Sequence, residues 1–431
     1  MSAVTPRPLR LGVALGFAGG IGLMSAAIAI GRAWAAGPIG AYLALWTGWL
    51  APERTRRERA GQFVLVHASV ALLLALIELP ALLGVVDYRV LLHVQALAPH
   101  RDPNYRFDPE LMFIRPPFDR VAGTYQGGDI SFLFHTAPEA MHVDAHYDEH
   151  GLRNPAGIRS AQLAVVGDSV VEGAYVGDDE VLTARLRADG IPTLNLAQIH
   201  YGPDQELVLL LRYGLPAGVR DVAWVFFEGN DLKNLREFDT WRGRMAEAHA
   251  EYHSAFARAF LRSLTARVFA AFARVRPSGA PRSGMIHTAA GARRAYFLYP
   301  GVPLAATTDA DLARLRGVLA RARDACNARG ARLEVVFAPI KYRVYAPLLG
   351  DDAGREVRTW VVNELPDRVR AAVGSLGDSV GYLDLTPALQ ASAREGRAPF
   401  FATDSHWSAE GHAVAAREIA SALRRARLAR H

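Results

Sequence analysis

Three long apolar stretches fill most of the first ninety residues of the chain. They cover residues 11–31, 33–51 and 62–86, and each is long enough to cross a bilayer core of about 30 Å as a helix. The third contains Glu78, and an ionisable group inside a membrane usually needs a partner. The pattern predicts a membrane anchor over residues 1–87 with about three transmembrane helices.

Beyond the anchor the pattern changes to short apolar runs. Residues 88–160 are rich in Pro, Asp, His and aromatic side chains, which predicts an irregular lead-in with short strands. From 161 to 431, apolar runs alternate with amphipathic helical segments, and this alternation predicts a parallel sheet covered on both faces. The runs are 163–168, 193–197, 222–230, 295–299, 332–339 and 381–385. Residues 232–290 interrupt the alternation, and their Ala/Arg/Phe-rich sequence predicts a helical insertion.

Basic residues near the apolar stretches predict how the chain is oriented in the membrane. Arginines are densest in the loop PERTRRERAG (52–61), and Arg7 and Arg10 precede the first stretch. By the positive-inside rule both regions are cytoplasmic, so three spans deliver the rest of the chain to the outer face. We therefore expect a multi-pass protein of the cytoplasmic (inner) membrane, with the chain beyond the anchor on the periplasmic side. A cleaved signal peptide is the competing interpretation of the first stretch, but the later stretches and the basic loop argue against simple secretion.

Charge and cysteine content exclude two classes of protein. The formal net charge is +6, but the arginines are scattered among acidic residues and no nucleic-acid-binding motif is present, so we expect no nucleic-acid partner. The single cysteine, Cys326, excludes an intrachain disulfide.

Candidate chemistry lies at the ends of the apolar runs. In AVVGDSVVEG, Ser169 follows a run with glycines on both sides, and ATDSHWSAEGH places Asp404 and His406 before the closing helix. A serine becomes a nucleophile when an imidazole takes its proton and a carboxylate holds that imidazole's tautomer. Asn230 follows another run, and its amide is a suitable donor to an oxyanion. An ordinary turn, a packed histidine and a helix cap are the alternative interpretations of these residues.

Four blocks, in this order, resemble the SGNH (GDSL-type) hydrolase family: GDSVVEG (167–173), NLAQIHYGPDQ (195–205), EGND (228–231) and DSHW (404–407). The resemblance implies an α/β domain with a flavodoxin-like three-layer αβα fold. It also implies Ser169 as nucleophile, His406 as base and Asp404 as the group that orients the base. Asn230 and backbone amides near Ser169 would form the oxyanion hole. The mechanism requires no metal or other cofactor.

Two positions depart from the family pattern. The family's acid usually lies three residues before the histidine, where this chain has Thr403, whereas Asp404 lies two before. The position of the usual oxyanion glycine holds His200, with Gly202 two residues later, so either backbone N–H is a candidate second donor.

The D-x-H-W spacing and the segment VVFAPIKYRVYAP (335–347) are similar to the alginate O-acetyltransferase-like branch, of the AlgJ and AlgX type. In that branch the D-x-H element precedes the serine, whereas here it follows. The resemblance implies acetyl transfer to an exopolysaccharide hydroxyl outside the cytoplasmic membrane. Lys341 and Tyr345 then line a sugar groove; a snorkelling lysine and a core tyrosine are the equal alternatives.

We therefore expect a membrane-anchored serine esterase or O-acetyltransferase that acts on O-acyl groups of a surface or exported carbohydrate. Its expected partners are that carbohydrate, the membrane and a membrane acyl-donor protein. The alternative is a catalytically degenerate SGNH domain that binds glycans or scaffolds a polysaccharide export or modification complex. The departure at His200 favours this alternative.

A metal site is a further candidate in the lead-in. MHVDAHYDEH (141–150) aligns His142, Asp144, His146 and Asp148 if it is a strand, and His142, His146 and His150 if it is a helix. A solvent-facing polar edge explains the same residues, and we predict no metal.

Overall fold

A computed structural model of the chain describes residues 56–92, 94, 104–134, 136, 138–273, 282–299 and 308–428. The chain divides into two compact units, Met1–Val86 and Asp87–His431.

The described part of the first unit is mainly one helix, α1 (Arg56–Leu82). Its portion Val64–Leu82, 19 residues with a mean hydropathy of 2.1, is the one helix among the described residues that is long and apolar enough to cross a membrane, by length and composition. The expected spans 11–31 and 33–51 lie outside the described residues.

The bounds of α1 differ from the expected span 62–86. Within the described residues the helix already includes Arg56, inside the predicted basic loop, because Arg, Glu and Ala are good helix formers. It ends at Leu82 because Gly84 adopts a φ of 74°, the left-handed conformation that terminates helices.

The described strands of the second unit, β1 to β11, are Arg106–Asp108, Met112–Ile114, Arg120–Gln126, Ala140–His146, Leu163–Gly167, Thr193–Ala197, Asp221–Phe227, Ser283–Thr288, Gly291–Tyr296, Arg332–Ala338 and Val380–Asp384. Its described helices, α2 to α15, are Tyr88–Leu91, Asp129–Phe134, Ser169–Glu172, Leu182–Ala188, Pro203–Leu209, Asp231–Arg242, Met245–His253, Ala255–Arg258, Phe260–Ala273, Asp309–Ala328, Lys341–Tyr345, Leu365–Gly374, Thr386–Arg394 and Ala409–Leu428.

The centre of this unit is a five-stranded sheet in the order β11-β10-β7-β5-β6. All neighbouring strands run parallel, so the predicted mixed α/β fold with a parallel sheet is confirmed. Numbered by appearance within the sheet, the order is 2-1-3-4-5, which is that of flavodoxin-like sheets. The order reverses between β5 and β7, and ligands of such sheets bind in the crevice beyond the carboxyl ends of the strands at this point.

Both faces of the sheet are covered by helices. Along β5, Leu163 and Val165 contact one buried cluster, and Ala164 and Val166 contact another. Helices α5, α14 and α15 supply the first cluster, and α6, α11 and α13 supply the second. Burying each large aliphatic side chain stabilises the fold by about 2 kcal/mol relative to exposure. This two-sided burial explains why the sheet strands read as continuous apolar runs.

One predicted strand of the sheet is wrong. Residues 295–299 do not join the sheet, because β9 pairs antiparallel with β8, with Ser283 opposite Tyr296. A tight turn joins the two strands, and Gly291 at its end has a φ of 113°. The hairpin closes locally, so β9 makes no parallel crossover. The predicted helical insertion 232–290 is helical through α7 to α10 but ends in strand β8; residues 274–281 lie outside the described residues.

The lead-in contains two antiparallel pairs. β1 pairs with β2, and β3 pairs with β4 in a register that sets Arg120 opposite His146. Helix α3, which lies between β3 and β4 in the chain, contacts the segment that carries Asp404, as the hydrogen bonds below show.

Candidate active site

Ser169 is the first residue of α4, directly after β5. The Asp168 side chain caps this short helix by accepting a 2.9 Å hydrogen bond from the backbone N–H of Val170. Gly167 is needed for packing, because a Cβ there would lie 2.6 Å from Cγ2 of Val171. Ser169 is therefore held at the carboxyl edge of the sheet with 6% of its surface exposed.

Ser169, His406 and Asp404 form one hydrogen-bonded series. Nε2 of His406 lies 2.9 Å from Oγ of Ser169, and Nδ1 lies 2.5 Å from Oδ1 of Asp404. Because an ionised carboxylate only accepts, Nδ1 donates and Nε2 is left to accept the serine proton. The two-residue spacing has a geometric consequence: Oδ1 of Asp404 also accepts a 2.7 Å bond from the backbone N–H of His406.

The charges of this series shift both pKa values. Burial opposes the charged form of His406, but the negative charge of Asp404 outweighs it and raises the pKa of the imidazole to about 9. Burial likewise works against ionised Asp404, but His406 and the hydrogen bonds to its carboxylate lower its pKa. Asp404 is therefore the permanently charged partner.

Helix α3 contacts the oxygen of Asp404 that faces away from His406, a contact that no local sequence pattern predicts. The backbone N–H of Asp129 donates a 2.8 Å bond to Oδ2 of Asp404. The Asp129 carboxylate accepts from the backbone N–H of Ser405 at 2.9 Å and from the Ser405 hydroxyl. Burial and the charge of Asp404 raise the pKa of Asp129. Gly128 allows this contact, because a Cβ on it would lie 1.9 Å from Oδ2 of Asp404.

Lys341 does not line a groove, so the predicted sugar contact is wrong. Its Nζ donates to the carbonyl oxygens of Phe401, Ala402 and Asp404 at 2.7, 2.8 and 3.2 Å, and only 3% of the residue is exposed. Burial lowers the pKa of Lys341 to about 8 against the opposing effect of nearby carboxylates. Because an ammonium has three donors, the three carbonyls satisfy it completely. Lys341 fixes the backbone that carries Asp404.

Tyr345 is a core residue, in agreement with the alternative interpretation. It is 2% exposed, and its ring packs edge-on against Phe400 with centroids 5.9 Å apart. Its hydroxyl oxygen accepts a 3.3 Å bond from Arg293. No part of Tyr345 is available to a large substrate.

His200 carries an unused backbone N–H beside the site. In the loop after β6, the N–H of Ile199 donates to Glu172, that of Tyr201 to a carbonyl, and that of Gly202 to Oε1 of Gln205 at 3.3 Å. Within the described part of the chain the N–H of His200 has no acceptor. Desolvation and the charge of His406 lower the pKa of His200, so its ring lies near the catalytic base.

His200 also has the backbone conformation of a glycine. Its φ is 66°, in the left-handed region that glycine adopts without strain. Gly202 has a different role: it precedes α6, and a Cβ there would lie 2.6 Å from Cβ of Asn234. The bound N–H and close packing of Gly202 leave His200 as the better candidate for the second oxyanion donor.

Asn230 and the N–H of Ser169 complete the candidate oxyanion donors. Asn230 immediately precedes α7, but its side chain makes no capping hydrogen bond. The side chain lies beside Asp168: burial raises the pKa of Asp168, and a hydrogen bond from Asn230 partly opposes that rise. Ser169 begins α4, so its N–H has no intrahelical acceptor. Because β5, β6 and β7 are adjacent, all three donors follow the same edge of the sheet.

Glu172 connects the nucleophile block to the loop of the unused N–H. Its buried carboxylate accepts from Nε of Arg115 at 3.0 Å, the Tyr147 hydroxyl at 2.7 Å and Nε2 of Gln198 at 3.3 Å. It also accepts from the backbone N–H of Ile199. In the sequence, only the glutamate that follows GDSVV indicates this hydrogen-bond network. The partners of Glu172 come from distant segments of the chain.

An aromatic cluster flanks His406. The Tyr175 ring meets His406, Tyr125 and Phe401 edge-on, with centroids 5.9, 5.6 and 6.4 Å apart. Tyr175 has a φ of 67°, a strained conformation for a bulky residue. Such strain persists only where surrounding contacts hold it, and it is common at functional sites.

Three buried carboxyl groups lie behind Ser169: Asp168, Glu206 and Asp231. At most 1% of each residue is exposed, and each has a side-chain oxygen without a hydrogen-bond donor among the described residues. Burial raises the pKa of all three, and their mutual repulsion raises the pKa of Glu206 and Asp231 further. Burial therefore opposes ionisation of all three groups.

The lead-in strand β4 does not assemble a metal site. His142, Asp144 and His146 share its exposed face, but Asp144 pairs with Arg120 at 2.9 Å and His146 contacts Asp178 at 2.8 Å. Asp148 lies beyond the strand and accepts from the N–H of Leu152 at 3.0 Å.

Among the described residues, the one group with ligand-like proximity is Asp129, Asp404 and His406, whose ligand atoms lie within 4.8 Å of one another. Those carboxylates already hold Ser405 and His406, and Nε2 faces Ser169. The arrangement of these three residues fits the orientation of His406 as the base for Ser169.

The sheet order and the serine, histidine and aspartate series define a class: α/β proteins with the geometry of a serine hydrolase. Residues 295–431 match the family model described as "SGNH hydrolase-like domain, acetyltransferase AlgX". This segment includes Lys341, Asp404 and His406, whereas Ser169 precedes it.

A curated relative, described as "Probable alginate O-acetylase AlgJ", comes from Pseudomonas syringae pv. tomato and is 31% identical over 113 residues. The alignment covers 26% of this chain and 26% of the relative, so the chain spans about a quarter of that protein's length. A crystal structure described as an acylhydrolase from Bacteroides fragilis is 10% identical, covers 61% of this chain and 86% of its own, and has a TM-score of 0.31.

The predicted resemblance to the SGNH superfamily, with features similar to AlgX and AlgJ, is confirmed by the family and sequence matches. The descriptions of the matched proteins name a hydrolase-like domain, an acetyltransferase and an O-acetylase.

Proposed function

We propose that this chain is a serine esterase or O-acetyltransferase that acts on O-acyl groups of a carbohydrate through an acyl-enzyme on Ser169. The observation that carries the proposal is the series from Ser169 Oγ to His406 Nε2 at 2.9 Å and from His406 Nδ1 to Asp404 at 2.5 Å. A hydroxyl in hydrogen-bond reach of an oriented imidazole is an activated nucleophile.

The reaction begins when Oγ of Ser169 attacks the acyl carbon and its proton passes to Nε2 of His406. The carbonyl oxygen becomes an oxyanion, which the N–H groups of Ser169 and His200 and the amide of Asn230 stabilise. One such donor typically lowers the activation barrier by about 3 kcal/mol. The intermediate then collapses and the bond between the acyl carbon and the leaving oxygen breaks. His406 donates its proton to that oxygen, which leaves as the alcohol.

A second nucleophile then releases the acyl group from Ser169. Water gives hydrolysis, and a carbohydrate hydroxyl gives acyl transfer. In both cases His406 accepts the proton of the attacking hydroxyl and returns it to Oγ of Ser169 as the acyl–serine bond breaks. The names of the matched proteins, an acetyltransferase and an alginate O-acetylase, favour acetyl as the group and a polysaccharide as the acceptor. The aromatic cluster of Tyr175, Tyr125 and Phe401 offers apolar faces against which a sugar ring can pack.

We place the enzyme at the membrane, with its catalytic unit on the periplasmic side. The apolar segment Val64–Leu82 and the arginines that precede it support this orientation. A membrane protein that supplies the acyl group, and an exported carbohydrate that receives it, are the partners that this location favours.

The degenerate-scaffold alternative depended on His200 at a glycine position. Because His200 adopts a φ of 66°, it offers the same backbone N–H that a glycine would. We therefore favour the enzyme.

Ser169→Ala in the full-length, detergent-solubilised chain tests the proposal. We expect loss of acetate release from an activated acetyl ester and loss of labelling by a fluorophosphonate. The matched control is Ser392→Ala, a buried serine that bonds to Glu410, which should retain both. Equal turnover by Ser169→Ala and the unmodified chain would overturn the proposal.

Acceptor competition separates hydrolysis from transfer. The unmodified chain is acylated with the activated ester in the presence of oligosaccharides, and products are analysed by mass spectrometry. Acetylated oligosaccharide that is absent with Ser169→Ala identifies a transferase, and free acetate alone identifies an esterase.

A further inference from the structure

A cavity of about 830 Å³ lies at the opposite edge of the sheet from Ser169. It is bounded by the amino ends of β7 and β10, by the loop that precedes β7 and by the end of α15. We call it the arginine cavity, because it is lined by Arg220, Arg329, Arg332 and Arg427.

Positive charge in the arginine cavity exceeds negative charge. Asp221 is the one carboxylate that lines it. Arg427 lies 3.1 Å from Asp221, and Arg332 pairs with Glu334 just outside the lining. Within the described residues, Arg220 and Arg329 contact no carboxylate. Two guanidinium groups in one concave surface are therefore uncompensated.

The donors of the cavity are also incompletely used. Nε of Arg332 is buried and has no hydrogen-bond acceptor among the described residues, with Asp221 4.0 Å away. A buried donor without an acceptor destabilises the empty cavity. Guanidinium groups match planar carboxylates and phosphates with two parallel hydrogen bonds.

Part of the wall is apolar. Leu215 and Val219 are buried, and Pro216 and Ala426 complete that side. The volume is in the range of about 300–1,000 Å³ that holds compact organic ligands. A ligand with an oxyanion on a small ring or sugar can bind the arginines through its charge and pack its body against the apolar residues.

We propose that the arginine cavity is a second binding site, for a ligand that carries a carboxylate or phosphate group on a compact organic body. Asp221 and Ser169 lie at opposite ends of neighbouring strands. The seven residues of β7, at about 3.3 Å each, separate the two edges by about 20 Å. The ligand therefore does not contact Ser169, and this site is independent of the proposed acyl chemistry.

The test measures binding to the full-length, detergent-solubilised chain by isothermal titration calorimetry. Pyrophosphate and glucuronate are the two probes, and glucose is the neutral control. We expect saturable binding of at least one anion, weakened by added salt, and none of glucose. Binding of pyrophosphate alone indicates a phosphate-bearing ligand, and binding of glucuronate alone indicates an acidic sugar. Absence of saturable binding for both overturns the proposal.

The double variant Arg220→Gln, Arg329→Gln assigns the binding to this cavity. Both side chains are exposed and unpaired among the described residues, so their loss should leave the fold and the ester turnover unchanged. We expect affinity to fall at least tenfold. The matched control, Arg316→Gln with Arg321→Gln on the exposed surface of α11, should bind as the unmodified chain does. Equal affinity in the two double variants would also overturn the proposal.

Discussion

The backbone N–H of Asp129 donates a 2.8 Å hydrogen bond to Oδ2 of Asp404, although 275 residues separate the two in the chain. This bond occupies the oxygen of Asp404 that His406 does not use, so the carboxylate is held on both sides. The backbone of Gly128 lies against the Asp404 carboxylate, and there is no room for a side chain at this position. The lead-in is therefore part of the candidate active site.

Gly128→Ala should disable the relay. The new Cβ would lie 1.9 Å from Oδ2 of Asp404. Either the backbone at residue 128 or the carboxylate of Asp404 must therefore shift. A displacement of about 1 Å in such a group can lower the rate about 100-fold, which kcat for an activated acetyl ester will report. Gly317→Ala is the control, because nothing lies within 4 Å of its Cβ; it should keep full kcat. Full activity in Gly128→Ala would contradict the role of this contact.

Lys341→Met should destabilise the fold without a specific loss of carbohydrate affinity. Three carbonyl oxygens lose a shared donor, which we expect to lower the free energy of unfolding by about 3 kcal/mol in urea titrations. Lys233, the other lysine of the chain, pairs with Glu237 at the surface, and Lys233→Met should change stability by less than about 0.5 kcal/mol. Unchanged stability with a raised KM for a saccharide acceptor would instead support a groove role for Lys341.

His200→Gly should retain activity and gain stability. The substitution keeps the backbone N–H and removes the strain of a β-carbon at a φ of 66°, a gain of up to about 1 kcal/mol. Activity against the acetyl ester and the urea midpoint are the two measurements. A large fall in kcat at unchanged stability would show that the imidazole, and not the N–H, serves the reaction.

Activity should rise with pH through the pKa of His406. The base is the neutral imidazole, so activity is present above this pKa and lost as pH falls through it. Asp404 raises the pKa to about 9, well above its usual range. Asp404→Asn removes the negative charge, so the midpoint of the kcat/KM profile should move to lower pH. The maximal rate should fall about 10,000-fold, because the tautomer is no longer held. An unmoved midpoint would exclude Asp404 as the partner of the base.

Local patterns predict that several candidate site residues lie close together. Ser169, His200 and Asn230 each follow an apolar run, and parallel strands bring their carboxyl ends to one edge, so their proximity was predictable. By contrast, the alternation predicts that run 295–299 joins the sheet, because short apolar runs do not reveal their partners. Its hairpin with β8 depends on a turn at Gly291. The alternation of apolar runs and helical segments does not reveal this turn.

The sequence by itself determined the apolar runs that become the parallel strands, the position of Ser169 directly after one of them and the two-residue spacing of Asp404 and His406, because each depends on neighbours within a few residues. The tertiary structure decided that Lys341 is buried beneath the Asp404 loop and that Asp129 holds the acid. It also decided that His200 rather than Gly202 offers a free N–H. These relationships join segments far apart in the chain, and packing and hydrogen-bond geometry, which no local period encodes, determine which of them meet.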